Sequence, residues 1–283
     1  MIPFTLDKVK AQQVKQQVNR KDRVVSRYTE VMESYMELAV DWVLTEYQAN
    51  GRYKDPELQD MGKIMEDFYR SVIESAFHSC DEEMRIERRG RKRLAKLPMG
   101  LPKDLRSLEQ VFRDKRYWPR IMKRSEVLTD RMRRQYKQKL RRKFGELMPL
   151  IRDGEVTMKE AKDMMMSSWQ ASKSRVETVF RTETTNYFGR TQTAYYEDNP
   201  EIIGFLFDSV RDSSRTPICR SRHGLVYRPG TRLLAENTPA CHWNCRSHLI
   251  PLVNIPRNIK MLEDPQRDPS KRKVVSLPKG WKK

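Results

Sequence analysis

Three of the four cysteines and three of the four histidines of this 283-residue chain fall between positions 219 and 248. Thiolates and imidazoles are the ligands zinc prefers, four at the corners of a tetrahedron and commonly as two short pairs from separate turns. The pairs here would be Cys219-x3-His223 and His242-x2-Cys245, with Cys241 and His248 as spare candidates. Cys241 and His242 are adjacent and poorly suited to reach one ion together. The spacing lacks a plain double CxxC. The same residues would also suit a metal-free turn in which His242 and Asn244 hydrogen-bond the backbone. Zinc is the one cofactor this pattern raises.

A second group is polar. Arg181 and Glu183, and further on Asp208, Asp212 and Arg215, are read as a structural network, because a guanidinium binds a carboxylate through two parallel hydrogen bonds and can lock a helix to a loop. A carboxylate such as Asp208 or Glu183 beside His223 would also make a general acid–base pair. A metal-dependent nuclease or hydrolase built on Asp208, His223 and His242 is therefore the alternative reading. Nothing in the sequence supplies a nucleophile elbow, a phosphate-cradling glycine loop or an HExxH helix. The expectation is a protein that is not an enzyme and has no catalytic residue.

The charge is regional. Of a formal net charge of +19, residues 85–146 hold 23 Lys and Arg against 7 Asp and Glu, and residues 256–283 hold 9 against 3. Concentrated cations attract polyanions with an affinity that falls steeply as salt rises. Between 120 and 147, Arg131, Arg133, Arg134, Lys137, Lys139, Arg141, Arg142 and Lys143 share a helix with an apolar stripe of Met132, Tyr136, Leu140, Phe144 and Leu147. Such a helix packs on its own protein and turns cations to a phosphate backbone, so these eight are the candidate nucleic-acid-binding residues. An acidic protein surface would fit the same face. No apolar run approaches the roughly 18 residues needed to cross a bilayer, and the N-terminus lacks a signal-peptide core. A reducing compartment without disulfides is expected.

These residues need elements to position them. Apolar spacings of three and four predict a helix from Asp22 to about Gln48, stopped by Asn50-Gly51, and a second beginning near Asp55-Pro56. Residues 85–96 are a basic run broken by Gly90 and followed by Pro98, Gly100 and Pro102, which predicts an exposed excursion. Helices are predicted at 105–113 and 120–147, then a helix capped by Thr157 and Glu160, then one from about Ser172 to Asp198 ended by Asn199-Pro200. Ile202 to Val210 and Leu225 to Tyr227 predict strands. Residues 254–283, proline-rich and charged, predict an extended arm. The fold expected is mostly α, with a helical region over 1–170, a small α+β module with a short antiparallel sheet over 171–253, and a basic arm over 254–283.

The order Arg181-Thr182-Glu183-Thr184, a strand, Asp212-x-x-Arg215-Thr216-x-x-Cys219, His223-Gly224, then Pro239-x-x-His242-x-Asn244-Cys245-Arg246-Ser247 resembles the phage Mu F-like head morphogenesis family of minor head proteins. The resemblance covers roughly 175–252. Many members carry a further cysteine where this chain has Arg222, a proline where it has Ala240 and a cysteine where it has Ser247. What the resemblance implies is a virion protein of a tailed phage, made in the bacterial host cytoplasm and placed inside the capsid near the portal. Its implied partners are the portal protein and double-stranded DNA, with a scaffold or major capsid protein as a further candidate and no membrane.

Overall fold

The computed structural model describes residues 6–94, 118–196, 199–279 and 281. Four long helices come first, α1 (Leu6–Asn50), α2 (Met61–Leu94), α3 (Trp118–Arg152) and α4 (Met158–Tyr196). They are followed by β1 (Ile202–Asp208), α5 (Pro217–Arg222), β2 (Val226–Tyr227), α6 (Arg232–Asn237), β3 (His248–Val253) and α7 (Pro256–Glu263), with a 3-10 turn at Pro269–Lys271. The protein is thus mostly α, with a small three-stranded antiparallel sheet ordered β2-β1-β3. None of its described helices is long and apolar enough to cross a membrane.

The chain forms two compact units, and neither is one continuous stretch. The first takes α1 up to Val24, α2 from Ser71 and the chain from Arg181 onward; the second takes α1 from Val25, α2 up to Arg70, α3, and α4 up to Phe180. The division at 170 expected from sequence therefore falls inside α4. It fails because α1, α2 and α4 each give residues to both units, which a linear scan of composition does not register.

The second unit is helix against helix. Its core rings sit at contact distance, with Phe68 and Phe180 at 4.7 Å, Tyr28 and Phe68 at 5.4 Å, and Tyr136 and Trp169 at 4.9 Å between centroids. Burying each such side chain contributes roughly 1.5–3 kcal/mol against exposure. The stripe of α3 is buried as its spacing required. Gly51 and Gly154, at φ +66° and +74°, end α1 and α3 in the left-handed region that glycine enters without a Cβ clash. Thr157 and Glu160 form the reciprocal capping box, with Thr157 Oγ1 accepting from Glu160 N and Glu160 Oε2 accepting from Thr157 N.

Several boundaries differ from the sequence expectation. Helix α1 starts at Leu6, well before Asp22. Asp55 does not open α2, because its carboxylate is taken by Arg141 at 2.6 Å, and the helix starts at Met61. Helix α2 then runs through Gly90 to Leu94, so the described part of the basic run is helical rather than an excursion. The expected helix at 105–113 lies outside the described residues. The two helices expected after Thr157 are one, because burial of Trp169 and Ser172 carries the helix across a polar stretch.

In the first unit, Phe205 and Phe207 of β1 and Leu249 and Val253 of β3 share a core with Tyr195, Tyr196, Tyr227 and the four cysteines. Strand β3 escaped the sequence reading because Pro251 argues against a strand. It fits because β3 is at the edge of the sheet. Ser247 and Leu249 turn their carbonyls away from β1, and Pro251 shares their parity, so its missing N–H removes no ladder bond. The segment after Asn254 is not an extended arm. It forms α7, whose Leu262 packs over Gly204, and its later residues Val274, Leu277 and Trp281 pack on the core. Buried Arg222 ties it down, donating to Val275 O at 2.8 Å as well as to Ile218 O and Asn237 Oδ1.

Helix α1 closes the outer edge of β3. Lys21 Nζ donates to Ser247 O at 3.2 Å, and Gln17 Nε2 donates to Leu249 O at 3.3 Å and to Glu83 Oε1 at 2.6 Å. Burial lowers Lys21 to about 8, and burial raises Glu83 to about 7 even though Gln17, Gln192, Ser79 and Tyr196 all donate to it. A carboxyl whose folded pKa lies above its unfolded value near 4.5 favours folding at low pH. That contribution is lost as pH rises from about 4.5 to about 7, on the order of 3 kcal/mol when complete. Glu83→Gln is neutral throughout, and a flipped Gln17 or Gln192 can meet its new N–H with a carboxamide oxygen that now lacks a partner. Urea unfolding at pH 5 and pH 8 is expected to show the parent losing more stability than Glu83→Gln across that interval. Lys21 has the opposite trend, setting in above about 8 in the parent; because the Glu83 charge helps hold Lys21 up, that trend starts lower in Glu83→Gln and widens the same difference.

Candidate functional site

Thr216 caps α5 by accepting from Cys219 N, and Pro217 supplies the preset first turn, so Cys219 faces inward one turn along. The second ligand-bearing turn is built at Asn244, which adopts φ +58°. A non-glycine residue there costs on the order of 1 kcal/mol, least for Asn. The Arg181-Thr182-Glu183-Thr184 stretch of α4 offsets that cost. Thr182 Oγ1 accepts from Asn244 N at 2.8 Å, and Thr185 Oγ1 donates to Cys245 O at 2.7 Å. The helix motif thus acts as a brace for the turn.

Together these elements place the ligand atoms of Cys219, His242 and Cys245 within 4.8 Å of one another, the one such group of three among the described residues. The Sγ atoms of Cys219 and Cys245 are 3.7 Å apart, and Cys219 Sγ lies 3.1 Å from His242 Nε2. All four cysteines are buried thiols, none of them in a disulfide. His242 Nδ1 is 2.7 Å from Trp243 O and donates to it, which leaves the Nε2 lone pair for a thiol or a metal. The hydrogen bond with Cys219 holds the Cys245 thiol well below its usual value, while the same bond and burial push Cys219 up. Burial works against a proton on His242, but its hydrogen bond and the charge of Cys245 prevail and raise it.

His223 is not in this group. It faces Asp208, with Nδ1 3.1 Å from Oδ1, and the same Nδ1 lies 3.2 Å from Ser209 N. Strand β1 ends at Asp208 rather than running to Val210. His248 Nε2 meets the other Asp208 oxygen at 3.2 Å. Burial opposes the charge on Asp208, yet hydrogen bonds from His223 and His248 hold its carboxyl well below the usual carboxylate range. The nuclease constellation is thereby split, since Asp208 and His223 are together while His242 belongs to the thiols.

The five residues expected as one network are dispersed. Arg181 lies 3.4 Å from Asp22, Glu183 is fully buried on α4, and Asp212 pairs with Arg246 at 2.7 Å. Arg215 makes no carboxylate pair among the described residues; its Nη2 reaches Arg220 O at 3.5 Å. Lys21, Gln17 and Glu83 were missed by sequence reading, and an amphipathic helix gives no signal that one polar position will meet a strand edge.

On α3 the structure divides the eight cations. Arg133 donates to Leu58 O, Lys139 to Ser172, Arg141 pairs with Asp55 and Lys143 with Glu146. Arg142 stands 3.9 Å from Glu146. Arg131, Arg134 and Lys137 have no carboxylate partner among the described residues, and Arg131 and Arg134 are exposed.

Residues 132–250 match the family model described as Phage Mu protein F like protein. Over that span the chain is similar to the Mu F-like family. No curated protein and no solved structure matched the chain. The Mu F-like span is longer than the 175–252 visible from motifs, since it takes in most of α3 and all of α4. It ends inside β3, and the residues that follow pack on the same core.

Gly189 lies in this span where α4 meets the loop before the ligand turn. A Cβ there would stand 3.0 Å from Thr238 Cγ2 and 3.1 Å from Pro239 O. Gly145 on α3 has nothing within 4 Å of the same position. Gly145→Ala is expected to raise stability by up to about 1 kcal/mol, whereas Gly189→Ala should lower it by about 1–3 kcal/mol. Thermal unfolding of the two variants beside the parent measures the opposite signs.

Proposed function

We propose that this chain is a minor head morphogenesis protein of a tailed phage, assembled in the host cytoplasm, located inside the head near the portal and touching packaged double-stranded DNA. The observation that carries the reading is the Mu F-like match over residues 132–250. The architecture is consistent with a part that adheres and does not turn over substrate. Its long helices offer docking length, and the motif residues Thr182 and Asp212, with Thr185 beside the helix motif, brace turns. The portal is the principal partner in this reading, with scaffold or major capsid protein as a further contact.

For DNA, the supporting feature is the outer face of α3. Arg131, Arg134 and Lys137 lie opposite its buried stripe, and contacts of this kind bind phosphate without reading bases. The formal net charge of +19 favours the same partner.

Quantitative mass spectrometry of purified heads, with portal protein as internal standard, is expected to find this chain at a fixed ratio to portal. Its absence from immature and mature heads alike would overturn the head-protein reading. In solution, duplex DNA of unrelated sequences is expected to bind with similar affinity and a steep salt dependence. Replacing Arg131, Arg134 and Lys137 together by Glu should reduce the log–log salt slope by about 2 to 3, at about 0.9 for each phosphate that is no longer neutralised. Arg133→Gln should leave that slope nearly unchanged. No binding at low salt, or no change in the triple variant, would remove DNA contact by α3 from the proposal.

A further inference from the structure

The thiol pair has the dimensions of a metal site. Two sulfurs each 2.3 Å from a tetrahedral zinc stand about 3.8 Å apart, and Cys219 and Cys245 stand at 3.7 Å. A disulfide would need them at about 2.0 Å. His242 adds the third donor with its Nε2 lone pair directed at Cys219, and its Nδ1–H is fixed on Trp243 O, the outer hydrogen bond that orients a ligating imidazole. Two soft sulfurs and one imidazole make a donor set that suits zinc over calcium or magnesium.

A fourth protein ligand is absent from the described group. Cys241 turns its thiol to Asn237 O, His223 and His248 are engaged with Asp208, and Ser247 hydrogen-bonds Cys219. Cys219 and His242 line a small cleft together with Ser209, Arg215, Arg246 and Ser247. Two polar atoms in that lining have no hydrogen-bond partner among the described residues: Ser209 Oγ, on a residue only 2% exposed, and Arg215 Nε. A hydroxyl and a guanidinium left unsatisfied in the same cleft are donors in want of an acceptor. The carboxylate nearest in sequence, Asp212, is already held by Arg246.

We propose that Cys219, His242 and Cys245 bind one zinc ion whose fourth position opens into this cleft, where an oxyanion enters against Ser209 Oγ and Arg215 Nε. The site is independent of the head-protein reading, since zinc is measured on the isolated chain. Ser247, beside Cys219 in the same lining, marks where a fourth protein ligand would close the site.

The full chain, purified after zinc-replete expression, is expected to carry one zinc per chain by elemental analysis. His223→Ala should keep it, and Cys245→Ser and His242→Ala should drop below about 0.2 per chain. Because those two variants can also fail to fold, the parent carries its own test. Its cobalt-substituted form should show two-thiolate charge-transfer bands and a visible spectrum that moves on titration with inorganic phosphate or with acetate. Ser247→Cys should hold zinc more tightly against a chelator and abolish that movement. Less than about 0.2 zinc in the parent, or full zinc in folded Cys245→Ser, overturns the metal site. A cobalt spectrum that neither anion moves overturns the open position. Movement with phosphate and not acetate assigns the ligand to phosphate; movement with both assigns it to oxyanions in general.

Discussion

The outer edge of β3 carries carbonyls that a three-stranded sheet cannot satisfy, and much of the first unit is organised around the groups that satisfy them. A buried backbone acceptor without a donor costs on the order of 1–3 kcal/mol. Lys21 and Gln17 on α1 supply the donors to Ser247 and Leu249. Drawing a lysine and a carboxamide into the interior then requires further partners. Lys21 finds the face of Phe188 at 4.9 Å, and Gln17 finds Glu83, itself surrounded by Gln192, Ser79 and Tyr196. One edge strand thus ties α1, α2 and α4 to the sheet through polar contacts that tolerate little substitution.

A similar constraint shapes the thiol turn. A left-handed Asn244 brings His242 and Cys245 back toward Cys219, and two threonines one helical turn apart on α4 hold that conformation. Asp208, with a histidine on each oxygen, keeps His223 and His248 out of the thiol group. Arg222, where the resemblance led to an expectation of a further cysteine in many members, instead clamps the C-terminal segment through Val275 O. An anchor stands where a further ligand would be, which is why residues after Asn254 fold onto the core rather than extend from it.

How much could be read in advance depends on the range of the interaction. The stripe of Met132, Tyr136, Leu140, Phe144 and Leu147, the Thr157–Glu160 cap and the glycine stop at 51 were legible because each is settled within about a turn of chain. The identities of Cys219, His242 and Cys245 were legible as a cluster in sequence. Their geometry was not, and His223 was grouped with them on spacing alone. Strand β3 was hidden by Pro251, whose effect depends on which side of the strand has a neighbour.

Local periodicity and composition alone determined that this chain is mostly helical, that one helix is densely cationic and that a short strand-bearing segment follows. Tertiary structure decided which cations remain available, since Arg133, Lys139, Arg141 and Lys143 are claimed by partners tens of residues away or on the same turn. It also decided which imidazole joins the thiols and which polar residues of α1 are buried. The physical reason is the same in each case. Backbone torsions and helical faces are set by neighbours a few residues apart, whereas the partner of a buried polar atom is set by whatever distant segment packing brings within about 3 Å of it.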